Sequence, residues 1–151
     1  MQNKRIALDK LEVVYKDLGL VRYKDTWDYQ ENLLQQNVKV KSWLMQKEKI
    51  AAGTCPDDDL AHKDMPADTT SYFLLCEHPP VYTLGKSGHI ENVLISEDAM
   101  QHQGIEFYKT NRGGDITFHG PGQIVGYPIL DLEKLYTDIR RYLRELQEVI
   151  I

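Results

Sequence analysis

Cysteine is scarce in this chain: its 151 residues hold two, Cys55 and Cys76. That is too few for a disulfide framework, and neither they nor the scattered histidines, at 62, 78, 89, 102 and 119, have the spacing of a zinc site. No metal and no cofactor is expected. Long apolar runs are missing as well, since nothing approaches the roughly 18 residues that a membrane span requires. The amino-terminal MQNKRIALDK lacks the apolar stretch of a secretion signal, so a cytoplasmic chain with no membrane partner is expected. Positive charge is in deficit, with 18 Lys and Arg against 23 Asp and Glu and a net charge of -5, which offers nucleic acid no general attraction. Repeats and low-complexity tracts are absent too.

What is present is ordinary globular material, 42% hydrophobic and 27% charged, at a length suited to one hydrophobic core. A single domain over 1–151 is expected. LEVVYKDLGLVRY (11–23) is rich in β-branched and aromatic residues and predicts a strand, or two strands around a turn at Gly19. From Asp25 to about Ala52, Leu34, Val38 and Met45 follow Trp27 at helical intervals behind an N-cap at Asp25 or Thr26, predicting a long amphipathic helix. AGTCPDDDLAHKDMPADTT (52–70) is acidic, carries two prolines and reads as a mobile surface loop.

SYFLLCE begins a buried strand, Pro79-Pro80 interrupts it, and VYTLG resumes. A short helix follows around Ser96 to Gln103. IEFYKTNR and ITFH flank Gly113-Gly114, a hairpin signal, and QIVGYPILDL adds a third strand, so residues 105 to 132 are expected to form a meander. In TDIRRYLRELQEVII (137–151), Ile139, Leu143, Leu146 and Ile150 form the stripe of a core-facing helix. It stops with no capping glycine, asparagine or proline, which points to a longer chain.

Two phosphate-binding patterns fail on inspection. Leu84-Gly85-Lys86-Ser87 imitates the end of a P-loop, but Pro80 stands where that motif needs its first glycine. Gly120-Pro121-Gly122 with Gly126 imitates a dinucleotide fingerprint, but the spacing is wrong and a strand follows. Cys76 beside His78 or His119 could be drawn as a thiol and its base; its place at the end of Phe73-Leu74-Leu75 predicts core packing instead.

NRGGDITFHGPGQ (111–123) is the densest signal. Two readings fit its glycines: tight turns, or backbone kept bare so that N–H groups approach a ligand, with Arg112 and His119 supplying polar contacts. The block RGGDITFHGPGQIVGYPILDL resembles the signature of the lipoyl(octanoyl) transferase (LipB) family, and EHPPVYTLG (77–85) resembles its upstream element. LRELQEVII resembles the family's next helix.

The resemblance implies an α/β (α+β) fold like the catalytic domain of biotin and lipoate protein ligases, a mixed and largely antiparallel sheet with flanking helices, represented by its amino-terminal part. It implies transfer of an octanoyl group from acyl carrier protein to a lysine of the lipoyl domains of 2-oxoacid dehydrogenases and of the glycine cleavage H protein. Arg112, Gly113, Gly114, Asp115, Ile116, Thr117, Phe118 and His119 would line the acyl pocket, supported by Gly120, Pro121, Gly122, Gln123 and Tyr82. The family's catalytic lysine and cysteine fall beyond Ile151, so no catalytic residue is assigned within the chain. A non-catalytic acyl-binding or scaffold domain of the same fold is the alternative.

Overall fold

The computed structural model describes residues 4–8, 11–54 and 65–150. Cys55, His62 and most of the predicted acidic loop lie outside the described residues. Strands β1 (Lys4–Leu8) and β2 (Leu11–Leu20) pair antiparallel. The stretch around Gly19 is therefore one strand with an earlier partner, not two strands about a turn. Gly19 sits at φ +64°, its N–H bonded to Asp17 Oδ1 at 2.9 Å, where the register shifts between Asp17 and Leu20.

Helix α1 (Tyr23–Ala51) crosses from β2 to β3 (Ser71–Glu77), which lies parallel to β2, as such a crossover allows. It contains no glycine or proline, and i,i+4 pairs such as Lys24–Asp28, at 2.5 Å, support its exposed face. It starts one turn earlier than expected, after Arg22, and Thr26 Oγ1 donates to Arg22 O at 3.2 Å inside the first turn. Its end is a Schellman motif: Thr54 N–H reaches Lys49 O, Gly53 N–H reaches Ile50 O, and Gly53 holds φ +68°.

The buried residues of α1 are Thr26, Leu33 and Val40, spaced by seven. Leu34, Val38 and Met45, the expected stripe, are 47%, 46% and 59% exposed. Both sets have helical periodicity, so spacing alone cannot choose between them. Anchors decide it: Asn37 exchanges two hydrogen bonds with the Thr70 backbone, and Lys41 Nζ meets Asp131 Oδ1 at 2.6 Å. These hold the 33/40 face against the sheet.

The expected fold class holds, with mixed pairing and flanking helices, but the strands form two sheets instead of one. The larger has the order β1-β2-β3-β7, with β7 (Val125–Ile129) antiparallel to β3. The smaller has the order β5-β4-β6: β4 (Val81–Leu84) lies between β5 (Glu106–Lys109), parallel, and β6 (Ile116–His119), antiparallel. The predicted hairpin and meander are therefore overturned. β5 and β6 never touch as neighbours because β4 separates them, and β7 leaves for the other sheet. Helix α2 (Glu97–His102) is where it was expected, capped by Ser96 Oγ, which accepts from Ala99 N.

Helix α3 (Ile139–Ile150) also forms as expected, but its stripe does not face a core. Ile139 and Leu143 are 56% and 54% exposed, and Leu146 is half-buried. The sequence period identifies an amphipathic helix and says nothing of what covers it. Among the described residues, no helix is long and apolar enough to cross a membrane.

Candidate active site

The two glycine-bearing motifs meet at Gly85. Gly85 N–H donates to Asp115 O at 2.8 Å and Lys86 N–H to Arg112 O at 2.9 Å, so the end of β4 and the Arg112–Asp115 loop run together. A Cβ on Gly85 would stand 2.3 Å from Gly114 O and 2.8 Å from Gly113 O. The glycine there allows backbone to press on backbone. Gly114 itself holds φ +84°, a region that favours glycine.

Arg112 organises the loop from within. Its Nη2 donates to Thr83 O at 2.7 Å, Thr83 Oγ1 at 2.8 Å, Thr117 Oγ1 at 2.9 Å and Asp115 O at 3.2 Å; Nη1 reaches Gly113 O at 2.8 Å. The planar fork suits several acceptors at once, which a lysine could not match. Thr83 is fully buried, and its hydroxyl oxygen accepts from this guanidinium. Asp115 extends the network outward, accepting from His89 N and, at 2.6 Å, from Asn92 Nδ2.

HGPGQ decodes as a type II turn. Gln123 N–H donates to Gly120 O at 3.1 Å, with proline at the second position and Gly122 at φ +86° in the third. Glu77 Oε2 accepts from Gly122 N at 2.6 Å, which ties the turn to the end of β3. The turn folds Gln123 back onto the strand, where its Oε1 lies 2.6 Å from His119 Nδ1.

Strand alternation divides the predicted site residues between two faces of the small sheet. Thr117 and His119 lie in register with Thr83 and Val81 on one face; Ile116 and Phe118 lie opposite Leu84 and Tyr82 on the other, where the Tyr82 and Phe118 rings are 4.9 Å apart. A cleft of 430 Å³, walled by Ile90, Val93, Ile95, Met100, Ile105 and Phe107, opens beside the 3-10 turn Ile90–Asn92, α2 and β5. None of the predicted residues lines it.

On the His119 face the structure gathers His78 and His119 with Tyr23, Tyr108 and Tyr127, tyrosines that the sequence did not single out. The Tyr23 ring stacks between Tyr108, at 5.7 Å, and His119, at 6.1 Å, and His78 meets Tyr23 and His119 edge-on at 5.5 and 5.9 Å. His78 is fully buried. Its Nδ1 lies 2.7 Å from Val21 O and its Nε2 2.8 Å from Tyr127 Oη. A carbonyl can only accept, so Nδ1 carries the proton and Nε2 accepts from the tyrosine. Burial pushes the His78 pKa down and the Tyr127 pKa up, which keeps both neutral. The pairing of Cys76 with His78 or His119 considered from the sequence touched this cluster, but nothing local marked Tyr23, Tyr108 or Tyr127 as its other members.

Cys76 is buried, with Sγ 3.6 Å from His78 Nε2. Burial raises its thiol pKa to about 11, against an opposing hydrogen bond to Thr26. A thiol held that high is almost wholly protonated near neutrality and a poor nucleophile. In a Cys55→Ser background, native-state alkylation of Cys76 at pH 8 is therefore expected to be at least about tenfold slower than after unfolding. Equal rates, followed by mass spectrometry, would contradict this placement. Among the described residues, no group of three or more His, Cys, Asp or Glu is placed to hold a metal ion.

The geometry defines an α/β protein in which two glycine-bearing motifs, tied at Gly85 and braced by one arginine, border an imidazole and aromatic cluster. Residues 57–151 match the family model described as the lipoyl protein ligase A/B catalytic domain, and the chain belongs to that family. It is similar to a protein described as an octanoyltransferase in Christiangramia forsetii, 51% identical over 140 residues, covering 93% of this chain and 53% of that protein. A second protein so described, from Flavobacterium johnsoniae, is 50% identical over 149 residues, covering 99% and 54%. A third, from Parabacteroides distasonis, is 39% identical over 137 residues, covering 91% and 52%. The chain thus spans about half the length of the curated relatives it matches.

Proposed function

We propose that the chain supplies the substrate-binding half of an octanoyltransferase, which moves an octanoyl group from acyl carrier protein to a lysine of lipoyl domains and of the glycine cleavage H protein, in the cytoplasm. The observation that carries this reading is the Arg112–Gln123 segment. Its loop is braced by its own arginine, it is stacked on Gly85, and it leads into a strand whose last residue, His119, joins the imidazole cluster, in a chain about half identical to proteins described as octanoyltransferases. Thioester-to-amide transfer runs downhill without nucleotide, so the site needs shape and proton handling more than a phosphate cradle.

In this reading Gly113 and Gly114 present bare backbone to the acyl thioester. Asp115 holds the loop to residues 89 and 92; Thr117 and His119 face the imidazole cluster, and Ile116 and Phe118 back them from the other face of the small sheet. Tyr82 and the Gly120-Pro121-Gly122-Gln123 turn support it. Cys76 is not the nucleophile; the nucleophilic cysteine and its lysine belong to the part of the relatives' length that this chain does not span. Residues 1–151, incubated with octanoyl-carrier protein, are expected to gain no octanoyl group by intact mass, whereas a chain extended to the relatives' full length gains one and passes it to a lipoyl domain. A hydroxylamine-labile adduct on residues 1–151 that disappears in Cys76→Ala would defeat this assignment.

A further inference from the structure

The Arg112–Asp115 loop is held at both ends, and the two holds differ in kind. At the inner end the Arg112 guanidinium reaches Thr83 and Thr117 on the neighbouring strands. At the outer end the chain that leaves β4 runs back along the loop. Gly85 N–H meets Asp115 O, Lys86 N–H meets Arg112 O, and Gly88 N–H closes a turn on Gly85 O. The Asp115 carboxylate then takes both His89 N–H, at 3.2 Å, and Asn92 Nδ2, at 2.6 Å. A Cβ on Gly88 would stand 3.0 Å from Asp115 Oδ1, so bare backbone passes close to the carboxylate here.

Asn92 is the far end of that clasp, and it belongs to neither of the two sequence motifs. A carboxylate can only accept, so the contact fixes the Asn92 amide with Nδ2 towards Asp115. The 3-10 turn presents the amide from a preformed frame, with Asn92 N–H on His89 O and Val93 N–H on Ile90 O at 3.0 Å each. Ile90 and Val93 on either side share the wall of the cleft with Met100 and Phe107. Yet Asn92 and Asp115 are both exposed, and a polar contact in that setting adds little to the stability of a whole fold. What it fixes is local. Gly113 and Gly114, exposed and without side chains, keep one backbone shape only while both ends of their loop are tied.

Resting on the octanoyl-transfer reading, we infer that Asn92 is a positioning residue which, through Asp115, holds the outer end of the Gly113–Gly114 loop in the shape that receives the acyl thioester. In that reading the glycines meet the acyl group and Asn92 does not. Without the clasp, Arg112 keeps the inner end in place and the outer end drifts. The productive geometry is then populated for only part of the time, which slows acyl capture while leaving the fold intact.

The test swaps the two partners, using protein extended to the relatives' full length. Asn92→Asp sets one carboxylate against another, and Asn92→Leu removes the donor without adding charge. When Asn92→Asp is combined with Asp115→Asn, the introduced amide donates to the introduced carboxylate and keeps an oxygen for His89 N–H, so the clasp re-forms in reverse. Octanoyl loading from octanoyl-carrier protein, timed by intact mass, is expected to slow about tenfold or more in both single variants and to return to within about threefold of the parent in the double. Amide exchange at Gly85 and Lys86, whose N–H groups bond the loop, should quicken and recover in the same order. Melting midpoints of all four proteins should agree within about 3 °C. A loss of rate that tracks a fall in melting midpoint overturns the inference, and so does a double variant no faster than Asn92→Asp. If the parent loads no octanoyl group at all, the functional reading fails and the role of Asn92 in transfer fails with it, whereas normal parent loading with indifferent single variants defeats only the inference.

Discussion

Among the ten glycines, Gly85→Ala is expected to be the most damaging substitution by alanine. Its Cβ would lie 2.3 Å from Gly114 O and 2.8 Å from Gly113 O. Both obstacles are backbone, and their loop is held by Gly85 N–H to Asp115 O and Lys86 N–H to Arg112 O, so neither can swing aside. Overpacking of that kind costs about 3 kcal/mol, which for a chain of this size lowers the melting midpoint by roughly 6–12 °C. Gly113→Ala is the matched control, because a Cβ there meets nothing within 4 Å, and it should stay within about 0.5 kcal/mol of the parent. Thermal unfolding of the pair decides the matter; a Gly85→Ala protein that melts with the parent would mean that the two motifs are not in contact.

Arg112→Met is expected to cost about as much, by a different route. The methionine fills similar space but leaves Thr83 Oγ1, in a fully buried residue, and Thr117 Oγ1 without the donor they share. Each orphaned buried group costs about 1–3 kcal/mol, so a loss of about 3 kcal/mol is expected. Arg112→Lys should recover little of it, since one ammonium cannot reach Thr83, Thr117 and Gly113 O together. Urea unfolding measures the loss, and amide exchange at Gly85 and Lys86 locates it. A lysine variant as stable as the parent would mean that the guanidinium geometry is not what holds the loop.

Both expectations concern motifs that were legible in the sequence, but their meeting was not. The residues of RGG and YTLG could be picked out by type. That Gly85 exists for the sake of the Gly113–Gly114 carbonyls, 28 residues later, required the strand order. The order itself was misread because Gly113-Gly114 between two strand-like stretches carries the chemistry of a hairpin, and nothing local reveals that β4 inserts between them. Elements with strong period or punctuation were legible: α1, the break at Pro79-Pro80, the short helix after Ser96 and α3. The buried side of α1 was not, since the 26/33/40 and 27/34/38/45 sets both have helical spacing and Asn37 and Lys41 choose between them through contacts with residues 70 and 131. The place of His78 at the centre of a cluster was hidden for a related reason. A lone histidine carries little signal until Val21, just past the end of β2, and Tyr127, in the middle of β7, arrive at its two nitrogens.

The position of β3 between a parallel and an antiparallel neighbour also sets a timetable for the newborn chain. Its first partner, β2, is already made when β3 leaves the ribosome, but its second, β7, is translated on the order of 50 residues afterwards, a delay of roughly 2–10 s at ordinary elongation rates. For that interval the apolar run Phe73-Leu74-Leu75 offers an open hydrogen-bonding edge to any other extended segment nearby. Slower translation across codons 78–125 should therefore raise the yield of aggregates without changing a single contact of the finished molecule, and a chaperone that binds short apolar strands should suppress them.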